Sequence, residues 1–156
     1  MERRDILLIY SSLTGNTEKV ARAIAEVLGI EPLNVRGTSP QRFEKVQLLF
    51  VGDGVYALRP SKAMVRFLQA LPPLRGTKVA LFGTYGSLPS QFRLMRRILE
   101  EKGAEIIGEF ACPGRDKATL GLLRRGRPDG EDLAAARAFA REMARKAGYA
   151  LPESSS

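Results

Sequence analysis

Apolar residues fall in two rhythms along this chain. Ile6–Tyr10, Val46–Gly52 and Val79–Gly83 are nearly unbroken apolar runs, the pattern of strands buried on both faces of a parallel sheet. Between them the spacing becomes helical. Val20, Ala21, Ile24 and Leu28 line one side of a segment ending at Gly29, with Glu18, Lys19, Arg22 and Glu26 on the other. Phe92, Met95, Ile98 and Leu99 repeat that stripe before Gly103. Leu133, Ala136, Ala140, Met143 and Ala147 repeat it after Asp129, which is placed to cap a helix, and before Gly148. Pro60-Ser61 opens a further helix predicted over Lys62 to Leu71, closed by Pro72-Pro73.

Two weaker runs complete the alternation. Glu31–Val35 carries a proline and Glu105–Phe110 mixes acids with apolar residues, so both suit sheet edges. Five strands alternating with helices, the one before the third strand weak, predict an α/β fold with a doubly wound five-stranded parallel sheet. With the polar strands at the edges and right-handed crossovers the order is 2-1-3-4-5. Ligands of such sheets bind beyond the carboxyl ends of the strands at the switch point, which points to the loops after strands 1, 3 and 4. Residues 1–150 read as one domain, with 151–156, Leu-Pro-Glu-Ser-Ser-Ser, as a disordered tail.

Composition narrows the chemistry. The 156 residues contain no histidine and one cysteine. Serine–histidine triads, imidazole acid/base catalysis and most zinc or haem sites are therefore excluded, and Cys112 has no internal disulfide partner. The apolar runs are far shorter than the ~18 residues that span a bilayer. Met1–Asp5 leads into only five apolar residues, so no secretory leader or membrane segment is expected and a cytoplasmic location is.

The first of the three loops, Ser11-Ser12-Leu13-Thr14-Gly15-Asn16-Thr17, joins a buried strand to a helix. Hydroxyls at Ser12, Thr14 and Thr17, the Asn16 amide, a turn glycine and the exposed N–H groups at a helix start surround an anion with neutral donors. No Gly-Lys-Ser/Thr follows and the three-glycine dinucleotide pattern is missing, so a phosphate monoester fits better than a nucleoside triphosphate or a pyrophosphate. These are also ordinary turn and cap residues, but four hydroxyls in seven positions exceed what a cap requires.

Ser12-Leu13-Thr14-Gly15-Asn16-Thr17 resembles the Ser/Thr-x-Thr-Gly-x-Thr phosphate loop of flavodoxins. The resemblance extends over nearly the whole chain, since strand order and length are also those of a short-chain flavodoxin. It implies noncovalent FMN with its 5′-phosphate in this loop and its ring between the loops after strands 3 and 4. Those are Gly52-Asp53-Gly54-Val55-Tyr56-Ala57 and Gly83-Thr84-Tyr85-Gly86-Ser87. Each offers glycines for close backbone approach and one tyrosine for stacking. Predicted cofactor-binding residues are therefore Ser12, Leu13, Thr14, Gly15, Asn16 and Thr17, then Gly54, Val55 and Tyr56, then Gly83, Thr84, Tyr85 and Gly86. By the resemblance, Tyr56 takes the inner ring face and Tyr85 the other. Ala57 stands where many flavodoxins have a glycine whose peptide flips toward flavin N5, which argues against strong stabilisation of the half-reduced ring.

Charge points to a partner. With 25 Lys and Arg against 17 Asp and Glu the formal charge is +8, and the isoelectric point is near 10.1. Arg93, Arg96 and Arg97 cluster, as do Arg115, Lys117, Arg124, Arg125 and Arg127. The second group follows strand 5 and is predicted on the ligand rim, where it suits an acidic redox protein; elsewhere the basic residues alternate with acids, which argues against a nucleic-acid site. The function this implies is FMN-dependent electron transfer between redox partners. The alternative is an FMN-dependent reductase or oxidase of a quinone-like substrate, for which the connections are short. A receiver domain would use Asp53 after strand 3 but lacks the acidic pair after strand 1, where Tyr10-Ser11 stand.

Overall fold

The computed structural model describes residues 5–54, 60–85, 91–114 and 126–151. Strand β1 (Ile6–Tyr10) leads into helix α1 (Asn16–Leu28), short strand β2 (Leu33–Asn34), a 3-10 turn at Pro40–Phe43 and strand β3 (Leu48–Gly54). Helix α2 (Lys62–Gln69), strand β4 (Lys78–Tyr85), helix α3 (Phe92–Glu101), strand β5 (Glu105–Pro113) and helix α4 (Gly130–Lys146) follow. The five strands form one parallel sheet in the order β2-β1-β3-β4-β5, as the alternation predicts.

Apolar residues on both sides of the central strands divide the core in two. Ile6, Leu8, Phe50 and Phe82 pack under α1 and α4, whereas Ile9, Leu49, Val51 and Leu81 pack under α2 and α3. Each side chain alternates faces along its strand, so a continuous apolar run serves both layers. At the far edge, Glu109 of β5 is exposed enough to pair with Arg96 of α3, which accounts for an acid within that strand. Capping follows the predicted chemistry: the Ser61 hydroxyl accepts from Met64 N at 3.1 Å, and Asp129 and Asp132 form a reciprocal capping box at the start of α4.

Several boundaries differ from the sequence reading. β2 keeps only two residues of 31–35, because an edge run with a proline and little apolar content has one neighbour and little to bury. α2 stops at Gln69, two residues before Leu71. β3, β4 and β5 extend to Gly54, Tyr85 and Pro113, so Gly52-Asp53-Gly54 and Gly83-Thr84-Tyr85 are ladder residues and Cys112 lies inside a strand. Leu151, read with the tail, packs half-buried against the α1–α4 side of the core; residues 152–156 lie outside the described set.

Candidate functional site

β1, β3 and β4 are adjacent and parallel, so their carboxyl ends open side by side at one edge of the sheet. Over the end of β1 the chain turns through residues 11–15 into α1. Gly15 makes this turn at φ 86°, a left-handed conformation that favours glycine, and is the N-cap residue of α1. Having no side chain, Gly15 itself supplies no side-chain cap to the first turn of the helix. Ser12 Oγ accepts from Gly15 N at 3.0 Å and Thr14 Oγ1 lies 3.4 Å from Asn16 N. Both hydroxyls act there as acceptors, and each retains an O–H of its own to donate. Helix-start amides and hydroxyls that still have an O–H to give, with no Lys or Arg in residues 11–17, suit a small anion.

The remaining loop residues are held from behind. Thr17 is 1% exposed, and its hydroxyl shares a 2.9 Å hydrogen bond with that of Thr84, itself buried at the end of β4. Asn16 is buried, with its side chain against Gly114; a Cβ at position 114 would sit 2.9 Å from Asn16 Nδ2. Gly114 N in turn donates to Tyr85 O at 2.9 Å. Thus the turn after β1 is tied to the ends of β4 and β5. Glu18, an acid in the first helical turn, accepts from Tyr10 Oη at 2.9 Å and from Arg22 at 3.1 Å. Those two bonds, the Tyr10 one foremost, hold its carboxyl below the usual range and turn its charge toward partners of its own. Burial, then Glu18, pushes the Tyr10 phenol up.

Beneath the ends of β3 and β4 lies a polar cluster that sequence reasoning missed. Asp53 is fully buried; its Oδ1 accepts from Gly54 N at 2.8 Å and its Oδ2 from Ser61 N at 2.7 Å. Burial pushes its carboxyl up to about 7, against the lowering effect of those bonds. Ser61 Oγ donates to Ser11 Oγ at 3.2 Å, and Gln91 Nε2 donates to the carbonyls of Asp53 at 3.2 Å and Thr84 at 3.3 Å. The sequence signal for this was an acid between two glycines inside an otherwise apolar strand. Interior placement of that carboxylate, with both oxygens occupied, also removes the receiver reading of Asp53.

The two ladder glycines serve packing. A Cβ at Gly52 would meet the Phe82 ring at 2.0 Å, and one at Gly83 would meet Asp53 O and Gln91 Nε2, both at 2.3 Å. Gly83 was read as leaving room for a ring; its empty side is filled by protein. Gly54 is buried at the end of β3, Tyr85 is half-buried at the end of β4 and Leu13 is an exposed apolar residue, at 59%. Val55, Tyr56, Ala57, Gly86 and Ser87, together with Arg115, Lys117, Arg124 and Arg125, lie outside the described residues. Arg127 does not stand free as part of a basic patch: it pairs with Asp132 at 2.5 and 2.7 Å and with Asp129 at 3.5 Å. Cys112 is buried and its thiol is pushed up to about 12, chiefly by burial, which leaves it an inert packing group.

A family profile described as Flavodoxin domain matches residues 7–122. This chain belongs to the flavodoxin domain family. Members of that family bind FMN. The flavodoxin-domain chain is 32% identical over 145 residues to an uncharacterized protein of Methanocaldococcus jannaschii, covering 88% of this chain and 96% of that one. It is 30% identical over 119 residues to the flavodoxin-like domain-containing protein BilS of Clostridioides difficile, covering 70% of this chain and 65% of BilS. Among solved structures, oxidised flavodoxin 1 of Bacillus cereus superposes with a TM-score of 0.73 at 21% identity, over 90% of this chain and 97% of the other. The rubredoxin oxygen:oxidoreductase of Desulfovibrio gigas superposes with a TM-score of 0.76 at 16% identity, over 94% of this chain and 36% of that enzyme. At such identities these two likenesses speak for the fold. No helix among the described residues is long and apolar enough to cross a membrane.

Proposed function

We propose that this flavodoxin-domain protein binds FMN noncovalently and carries electrons between redox partners. The observation that supports this most is the turn over β1. Ser12 and Thr14 each keep an O–H to donate, and the Gly15 N-cap brings no side-chain cap to the start of α1, beside the ends of β3 and β4. A phosphate monoester fits this cup: the turn's own sequence, residues 11–17, offers dipoles and no Lys or Arg, and Glu18, the acid in the first turn of the helix, is already paired. In this reading Ser12, Thr14 and the amides at Asn16 and Thr17 hold the phosphate. The Thr17 hydroxyl positions the turn through Thr84, and the Asn16 side chain supports it against Gly114. Tyr56 and Tyr85 flank the ring, with Gly54, Val55, Thr84 and Gly86 beside its edge. When bound, FMN supplies the electron-accepting and electron-donating ring; the chain binds it, orients it and shields it.

The partner we propose is an acidic redox protein, on the strength of the formal charge of +8. Arg127 contributes little to that attraction because Asp129 and Asp132 offset it. Visible absorption of the purified protein, with flavin quantified after denaturation, tests the cofactor. A flavin spectrum with one FMN per chain is expected, and a protein that takes up no FMN overturns the proposal. Assay with NAD(P)H and a quinone separates carrier from enzyme: the carrier gives no steady turnover alone, and the reductase reading requires it.

A further inference from the structure

The buried cluster under the β3 and β4 ends has a geometry of its own. One carboxylate reaches both ends of the β3–α2 connection, taking Gly54 N on one oxygen and Ser61 N on the other. The same Ser61 caps α2 through Met64 N and donates to Ser11 Oγ. Ser11 N is fixed to Gly52 O at 3.0 Å, and the next residue is Ser12 of the anion cup. From the other side Gln91 holds the Asp53 and Thr84 carbonyls together. An unbroken run of hydrogen bonds therefore joins the end of β3, the start of α2 and the turn after β1.

We infer that Asp53 is a positioning residue: its carboxylate ties the end of β3 to the start of α2 and, through Ser61, to the phosphate turn, and its ionisation sets how tightly the protein holds a flavin ring. This rests on the FMN reading above. Among the described residues, the groups hydrogen-bonded in this cluster around Asp53 are uncharged: the amides of Gly54 and Ser61, the hydroxyls of Ser61 and Ser11, and the Gln91 amide. Among the described residues no charged side chain acts on its titration, and burial brings that titration to the neutral range. As a carboxylate it accepts two charge-assisted bonds; once protonated, one oxygen carries the proton and accepts poorly, so the latch loosens. The end of β3, the start of α2 and the turn after β1 are then less firmly held to one another, and binding must bring them back into register.

Riboflavin is the probe of choice, because it carries the ring without the phosphate, whose own ionisation changes near the same pH. Riboflavin affinity for the FMN-free protein is expected to rise about fivefold from pH 6 to pH 8, the loss of roughly one charge-assisted bond's advantage. FMN should show the same step added to that of its phosphate. In Asp53→Asn the riboflavin step disappears. A ligand-free readout accompanies this: the amide NMR signals of Gly54 and Ser61 in the native chain should titrate together, with one midpoint near 7. A flat riboflavin profile in the native protein, an unchanged step in Asp53→Asn, or amides that do not titrate together each overturns the inference. Failure of both FMN and riboflavin to bind at any pH overturns the flavin reading and the affinity half of the inference with it. The amide titration needs neither ligand nor variant and judges the latch by itself.

Discussion

Thr17 and Thr84 meet hydroxyl to hydroxyl at 2.9 Å, 67 residues apart in sequence and both buried. The bond pins the first turn of α1 to the end of β4, so the candidate phosphate turn and one of the two candidate ring loops share a support. Replacing either threonine by valine leaves the other hydroxyl buried without its partner, at a cost of about 1–3 kcal/mol. The double replacement removes both polar groups and should cost less than the sum of the two singles. Urea unfolding of the four proteins in a double-mutant cycle measures this, and additive losses would show that the pair is not coupled.

Glycines at this edge differ in what an added methyl group meets. Gly83→Ala drives a Cβ into Asp53 O and Gln91 Nε2, and Gly52→Ala drives one into the buried Phe82 ring. Each should destabilise by roughly 3 kcal/mol, since neither backbone nor a packed ring yields easily. Gly15→Ala meets nothing within 4 Å and bears only the strain of a φ of 86°, about 1 kcal/mol. Denaturant midpoints should therefore fall in the order Gly15→Ala, then the two ladder variants.

Asp53 also predicts how stability depends on pH. Its carboxyl is raised from 3.8 to about 7 on folding, so between those values the folded chain holds a proton that the unfolded chain releases. Its contribution is fully present below pH ~4 and lost as pH rises toward 7, at about 1.4 kcal/mol per unit and at most roughly 4 kcal/mol altogether. Glu18 and Asp132, whose carboxyls are held low, act with the opposite sign. The difference between native protein and Asp53→Asn isolates the Asp53 part: a gap that closes steadily in the variant's favour from pH 4 to 7. A gap constant over that range would place the carboxyl at its ordinary value.

Much of this was legible before any coordinates. Runs such as Ile6–Tyr10 can only be buried on both sides, and helical stripes ending at glycines leave few topologies, so the sheet order followed. The turn after β1 stands out in the sequence as a candidate phosphate site because its chemistry is local: hydroxyls, a turn glycine and a helix start within seven residues. What escaped was nonlocal. Gly52 and Gly83 looked like loop glycines because sequence does not reveal that Phe82 and Gln91 fill the space beside them. Arg127 looked like part of a basic patch because its pairing with Asp132 depends on the capping box that turns that carboxylate toward it. Asp53 drew attention only as an acid near a strand end; that both its oxygens are spent on Gly54 and Ser61 depends on how α2 begins.

Binding of FMN and riboflavin to the FMN-free protein, with and without Thr14→Val, tests the central claim that the turn over β1 captures a phosphate. Thr14 is exposed at the turn, and its hydroxyl, an acceptor from Asn16 N, retains an O–H to donate. The variant should bind FMN roughly tenfold or more weakly, the worth of one hydrogen bond to a charged group, and hold riboflavin as well as the native chain does. Equal losses for both ligands, or none for FMN, would contradict it.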